Sequence, residues 1–140
     1  MNLLPYLNFN GNCADAIAFY EKVFNAKAEI VLQEDAVKFD ASYTVPKGKE
    51  KWIMHANMNL DDGNMIQFAD CEDNAKNMGT NICLQLTYKT EEEVKAVYDV
   101  LKSGGRIICE MQPTFYAPQY AELIDKFGIR WSIMQNFLEQ

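Results

Sequence analysis

One order of elements is written twice along this chain. The apolar run 3–9, LLPYLNF, reads as a strand, and Gly11-Asn12 then opens a helical pattern in which Ile17, Tyr20, Val23 and Phe24 recur, with Asn12 as the N-cap. Extended segments follow at 26–34, 51–60 and 64–69. Between the first two lies an irregular insertion ending in Val45-Pro46-Lys47-Gly48, with room for one short strand. Asp62-Gly63 joins the last two, a pair suited to the positive φ angles of a tight hairpin turn. The polar stretch 70–80, DCEDNAKNMGT, lacks apolar periodicity and is the natural joint of the chain. Beyond it come a strand at 81–88, a helix at 91–103 and three extended segments near 106–111, 115–123 and 129–136, punctuated by Pro113, Pro118 and Gly128. Thr90 and Glu93 have capping-box spacing, the acidic run 91–93 suits the positive end of a helix dipole, and Gly104-Gly105 ends that helix.

Each half is therefore strand, helix, then three strands. Tyr20 corresponds to Tyr98, an offset of 98 − 20 = 78, and Gly63 to Gly128, an offset of 128 − 63 = 65; the insertion in the first half accounts for the difference. The expected fold class is α+β: two βαβββ repeats forming a curved, cup-shaped mixed sheet with helices on the convex side. One domain spans 1–140, with a first half of about 1–70, a linker at 71–80 and a second half of about 81–140. Two such units side by side enclose a concavity, the kind of place where small molecules bind. A chain of 140 residues is long enough to build one core unaided.

Charge and cysteine usage narrow the partners. The net charge is −7 and no Lys/Arg run occurs, which excludes a nucleic-acid surface. No apolar stretch approaches the roughly 20 residues of a membrane helix, and the N-terminal MNLLPYLNF lacks the basic head and long apolar segment of a signal peptide. Cys13, Cys71, Cys83 and Cys109 form no CxxC, so reduced thiols and a cytoplasmic location are expected, with Cys83 as a small core residue.

Several stretches carry a resemblance. Pro5-Tyr6-Leu7 through Gly11-Asn12, then Ala16-Ile17 and Phe19-Tyr20, resemble the PYLxFxGN…AIxFY opening of PhnB-like proteins. Thr114-Phe115-Tyr116, Tyr120, Asp125-Lys126-Phe127-Gly128-Ile129, Trp131 and Ile133 resemble their TFW…Y…DxFGxxWxI close, with Tyr116 where Trp is more usual. His55 with Met65 through Asp70 resembles the segment between. The chain is thus similar over almost its whole length to the PhnB-like branch of the glyoxalase/bleomycin-resistance/dioxygenase superfamily.

That resemblance implies a test for metal. Metal-dependent members of the superfamily present His, Glu or Gln from the first, fourth, fifth and eighth strands. Alignment on the shared Phe-Tyr of the first helix puts the first position at Pro5; the others fall on Gln67, near Asn81, and on Ser132. None carries a His or a carboxylate, and two amides with a hydroxyl hold Zn²⁺, Ni²⁺ or Fe²⁺ weakly. No metal and no cofactor is expected.

The remaining candidates are ligand contacts. Strand alternation turns Met65 with Gln67, and Arg130 with Ser132 and Met134, toward the cavity, while Ile66, Phe68, Ile129, Trp131 and Ile133 face the helices. Met65 and Met134 adapt to irregular ligands, and the Arg130 fork suits a carboxylate or phosphate unless it answers one of the chain's own acids. His55, expected on one face with Ile53, Asn57 and Asn59, is a candidate general base or wall residue. Tyr116 and Tyr120 are candidates for the rim, whereas Asp70 and Asp125 are expected to shape turns. The function implied is metal-free binding of a small, partly apolar molecule by a homodimer. The alternative is a glyoxalase-type lyase, isomerase or dioxygenase with a displaced metal site built from Gln67, His55 and a nearby Asp or Glu.

Overall fold

Within each half of the computed structural model, which describes residues 1–72 and 79–136, a four-stranded mixed sheet forms with one long helix packed on it. The first unit, Met1–Asn77, contains β1 (Tyr6–Phe9), α1 (Cys13–Phe24), β2 (Ala28–Leu32), a short 3-10 helix (Gln33–Lys38), β3 (Ile53–Asn59) and β4 (Met65–Asp70). The second, Met78–Gln140, contains β5 (Leu84–Tyr88), α2 (Glu91–Leu101), β6 (Arg106–Gln112), β7 (Tyr120–Ile124) and β8 (Arg130–Gln135). Strand order is β1-β4-β3-β2 in one and β5-β8-β7-β6 in the other. In both, the first and last strands of the unit pair in parallel and the remaining pairs are antiparallel. The expected βαβββ duplication is present in topology as well as in element order. The expected joint at 71–80 lies, for residues 73–78, outside the described residues.

The helices form where apolar spacing and caps coincide. α2 buries Val94, Val97, Tyr98 and Leu101, the face expected from sequence, and starts with a complete capping box: Thr90 Oγ1 accepts from Glu93 N (3.3 Å) and Glu93 Oε2 accepts from Thr90 N (3.0 Å). α1 buries Ala16, Ile17, Phe19, Tyr20 and Val23, and the Tyr20 ring stacks on Phe68 of β4 at 5.8 Å. Each buried Val, Leu, Ile or Phe among these contributes roughly 1.5–3 kcal/mol. Asn12 occupies the N-cap position of α1, but its side chain makes no capping bond. Asp70 caps instead, from the end of β4: its Oδ1 accepts from Gly11 N (2.7 Å) and Cys13 N (3.1 Å), and its Oδ2 from Ile53 N (2.9 Å). In the second unit Asp125 does similar work, accepting from Phe127 N, Ile129 N and the Trp131 indole.

Four local expectations change. The insertion after β2 holds the 3-10 helix rather than a strand. The segment expected to be extended from 115 becomes a strand only at Tyr120, because Thr114 Oγ1 draws in Tyr116 N and Ala117 N to make a turn. Cys83 is exposed and precedes β5, so it is not a core residue. Ile53 and His55 do not follow simple alternation, since a register shift opposite Val31/Leu32 separates them and leaves Ile53 1% exposed. The Asp62-Gly63 turn is as expected, with φ of 58° and 76°.

Candidate functional site

In the first unit a polar network lies on the sheet face turned away from α1. Ile66 and Phe68 are buried, so alternation sends Met65 and Gln67 to the opposite face of β4. Parallel pairing sets Tyr6 of β1 across from Gln67, and antiparallel pairing sets Asn57 of β3 on its other side, with Glu29 of β2 beyond. Gln67 Nε2 donates to Asn57 Oδ1 (3.0 Å) and lies 3.9 Å from Met65 Sδ. His55 Nε2 is 3.0 Å from the same Asn57 oxygen, and His55 Nδ1 is 3.3 Å from the Tyr6 hydroxyl. The Tyr6 and His55 rings meet edge to face, at 5.7 Å and 77°. The structure therefore brings together His55, Gln67 and Met65 among the expected residues, and adds Tyr6 and Asn57.

Register shows which residues lie beside Gln67 and Ser132. Pro5 precedes β1, and the residue across from Gln67 is Tyr6. Asn81 lies outside β5, and the residue across from Ser132 is Gln85. The pairs Tyr6/Gln67 and Gln85/Ser132 do not fit a catalytic divalent metal, because neither supplies an imidazole or a carboxylate. Among the described residues no three His, Cys, Asp or Glu side chains gather where they could hold an ion.

In the second unit Tyr120, Glu122, Arg130 and Ser132 share the β7–β8 face. Glu122 sits across from Ser132, and Tyr120 across from Met134. The Arg130 guanidinium is paired with Glu122 and also donates to Thr80 O (2.6 Å), so the fork expected to meet a ligand anion is answered within the unit. Tyr120 donates to Glu122 Oε2 (3.1 Å). Burial pushes the Tyr120 hydroxyl above its usual range; Ser132 nearby opposes this in part, and the Glu122 charge adds to it. Tyr120 and Ser132 nonetheless make no hydrogen bond of ordinary geometry, and Ser132 Oγ is buried without a partner among the described residues. Tyr116 lies in the turn before β7, edge-on to Phe115 at 5.0 Å and to Tyr120 at 5.7 Å. Met134 is half-buried.

An open hollow lined by Ala18, Glu21, Lys22, Asn25, Ala26 and Lys27 lies by the C-terminal end of α1, apart from the network residues. Its Glu21 and Lys27 pair with each other at 3.0 Å.

A family model described as 3-demethylubiquinone-9 3-methyltransferase matches residues 1–134. Protein YjdN of Escherichia coli strain K12 is 32% identical over 139 residues, covering 95% of this chain and 94% of that one. The PhnB protein of Bacillus cereus is similar in structure, with a TM-score of 0.75 at 26% identity over 96% of this chain and 99% of the other. A glyoxylase/bleomycin resistance protein/dioxygenase domain from Frankia has a TM-score of 0.68 at 11% identity, over 100% of this chain and 95% of that one, a likeness of fold. With the model spanning both βαβββ units, the chain belongs to the PhnB-like family whose model is described as 3-demethylubiquinone-9 3-methyltransferase, within the glyoxalase/bleomycin-resistance/dioxygenase fold.

Proposed function

We propose that this protein binds a small, partly apolar molecule on the helix-free face of its first sheet without a metal ion, as a cytoplasmic homodimer. The observation that carries the reading is the neutral network Tyr6–His55–Asn57–Gln67 at the corner where metal-dependent relatives would need strong donors. Four neutral polar groups offer directional hydrogen bonds, and Met65 beside them offers an adaptable apolar contact. The second unit by itself offers a separate candidate contact surface in Tyr116, Tyr120, Ser132 and Met134. Arg130, already paired with Glu122, favours a neutral ligand over an anion. Unpaired thiols at Cys13, Cys71, Cys83 and Cys109 fit a reducing compartment.

Elemental analysis of the purified protein, with thermal shifts against a panel of small hydroxylated and aromatic metabolites, tests this reading. The panel includes a sulfonium methyl donor, because the family's description names a methyltransferase. The expected result is substoichiometric metal, a melting temperature unchanged by chelator, and stabilisation of about 2.7 kcal/mol at a ligand concentration 100 times Kd. Stoichiometric Ni, Zn or Fe whose removal abolishes ligand binding would overturn it.

A further inference from the structure

The hydrogen bonds of the first-unit network fix which way its protons point. Asn57 Oδ1 accepts from Gln67 Nε2, so the atom facing His55 Nε2 at 3.0 Å is an acceptor, and Nε2 must carry the imidazole proton. His55 Nδ1 then holds a lone pair, and the Tyr6 hydroxyl 3.3 Å away donates to it. Tyr6 spends its one proton inward and presents oxygen lone pairs outward, from a side chain that is 47% exposed. β4 lies between β1 and β3, and alternation puts Ala69 on the face shared by Gln67. A methyl group rather than a long side chain therefore underlies the crossing from Tyr6 to His55.

We infer that Tyr6 and His55 form a proton-accepting pair for a hydroxyl-bearing small molecule of phenolic or enolic type, with Asn57 and Gln67 positioning the imidazole. This rests on the metal-free binding reading and names the ligand chemistry of that surface. The ligand O–H bond breaks and its proton passes to the Tyr6 oxygen, while the Tyr6 O–H proton passes to His55 Nδ1. The ligand becomes a phenolate or enolate beside an imidazolium whose Nε2–H stays bonded to Asn57. Two protons shift in relay for a net transfer of one from ligand to imidazole, no electrons are exchanged, and no leaving group departs. Transfer to an imidazole is close to balanced only for a hydroxyl that ionises near neutral pH, which selects acidic phenols and enols over aliphatic alcohols. Among the described residues no carboxylate hydrogen-bonds to any of the four side chains. Glu29, across from Asn57 in the register, is the charged group of the adjoining strand.

His55 is the sole histidine of the chain, so the test is direct. Full-length protein labelled with ¹⁵N-histidine gives one imidazole in a long-range ¹H–¹⁵N spectrum, and the expected pattern in the free protein is a protonated Nε2 with a bare Nδ1. Addition of 4-nitrophenol should convert that signal saturably to the doubly protonated form, and the yellow phenolate should rise beyond its level in buffer at the same pH. Nitrobenzene, with the ring but no hydroxyl, should not do so. Tyr6→Phe should reduce the bound phenolate at least tenfold with unchanged circular dichroism. Asn57→Leu should scramble the tautomer of the free protein, a signature that a merely structural role would leave alone. An Nδ1–H tautomer in the free protein, no saturable change with 4-nitrophenol, or an undiminished response in Tyr6→Phe would overturn the inference. Nitrophenol that binds yet leaves the imidazole unchanged sinks the proton transfer while leaving metal-free binding intact; stoichiometric metal coordinated to His55 sinks the binding reading itself.

Discussion

Replacing Asp70 should damage the first unit severely, although the side chain is small and polar. Its carboxylate accepts three backbone N–H groups from two distant segments, Gly11 and Cys13 at the start of α1 and Ile53 at the start of β3. The bonds to Cys13 and Ile53 are buried, whereas Gly11 is exposed and water can replace its partner. In Asp70→Ala two buried donors lose their acceptor at about 1–3 kcal/mol each, and the helix loses a negative charge at its positive end, worth about 0.3–1 kcal/mol. The expected loss is roughly 4 kcal/mol, or about 10 °C in melting temperature for a chain of this size. Asp70→Asn keeps one oxygen for Gly11 and Cys13 but turns an NH₂ toward the Ile53 N–H, so its loss should be roughly 2–3 kcal/mol. Urea unfolding followed by far-ultraviolet circular dichroism reads both. A loss below about 0.5 kcal/mol for Asp70→Asn, or equal losses for the two variants, would show that this carboxylate does not organise the junction.

Burial first, and the Asp70 charge second, push the Cys13 thiol far above its ordinary range. A thiol reagent should therefore modify Cys71, Cys83 and Cys109 in the native protein and reach Cys13 only after unfolding; native modification of all four would refute this. Burial, reinforced by the hydrogen bond to Glu110 (2.7 Å), raises the Tyr98 hydroxyl from 10.0 to about 12. A raised phenol favours the neutral folded form, so its contribution is complete below pH 10 and lost as pH rises through about 12; the stability of Tyr98→Phe should fall less steeply across that window. Because Ser132 Oγ is buried without a partner, Ser132→Ala should be neutral or stabilising by up to about 1 kcal/mol in urea unfolding, and a loss above 1 kcal/mol would point to a bond that the structure lacks.

The elements legible in the sequence were those written in local code. α2 carries its cap, its apolar face and its terminating glycines in one short stretch, from Thr90 to Gly105, and Asp62-Gly63 needs nothing beyond its own φ preferences. Alternation alone placed Ile66, Phe68, Trp131 and Ile133 in the core. What escaped depended on partners far along the chain. Asp70 looked like a turn residue because its donors are 57 and 59 positions away at α1 and 17 away at β3. Helix alignment does not set strand register, so that Tyr6 and not Pro5 pairs with Gln67 becomes visible only in the sheet. Asn57 was placed near His55, but its role as the acceptor shared by His55 and Gln67 arises only when β3 and β4 pair. The Arg130–Glu122 pair is likewise a cross-strand contact, formed where β7 meets β8.

Equivalent register positions in the two sheets have diverged into different chemistry. In the first unit the row Tyr6–Gln67–Asn57 is neutral and bound through hydrogen bonds, with the one carboxylate, Glu29, on the outer strand. In the second the row Gln85–Ser132–Glu122 contains a carboxylate, and that carboxylate is spent on Arg130 from the next row. A half-buried ion pair resists the loss of either partner, because the survivor is left as an uncompensated charge. The neutral row of the first unit carries no such obligation, since its side chains are held to one another by hydrogen bonds without an ion pair.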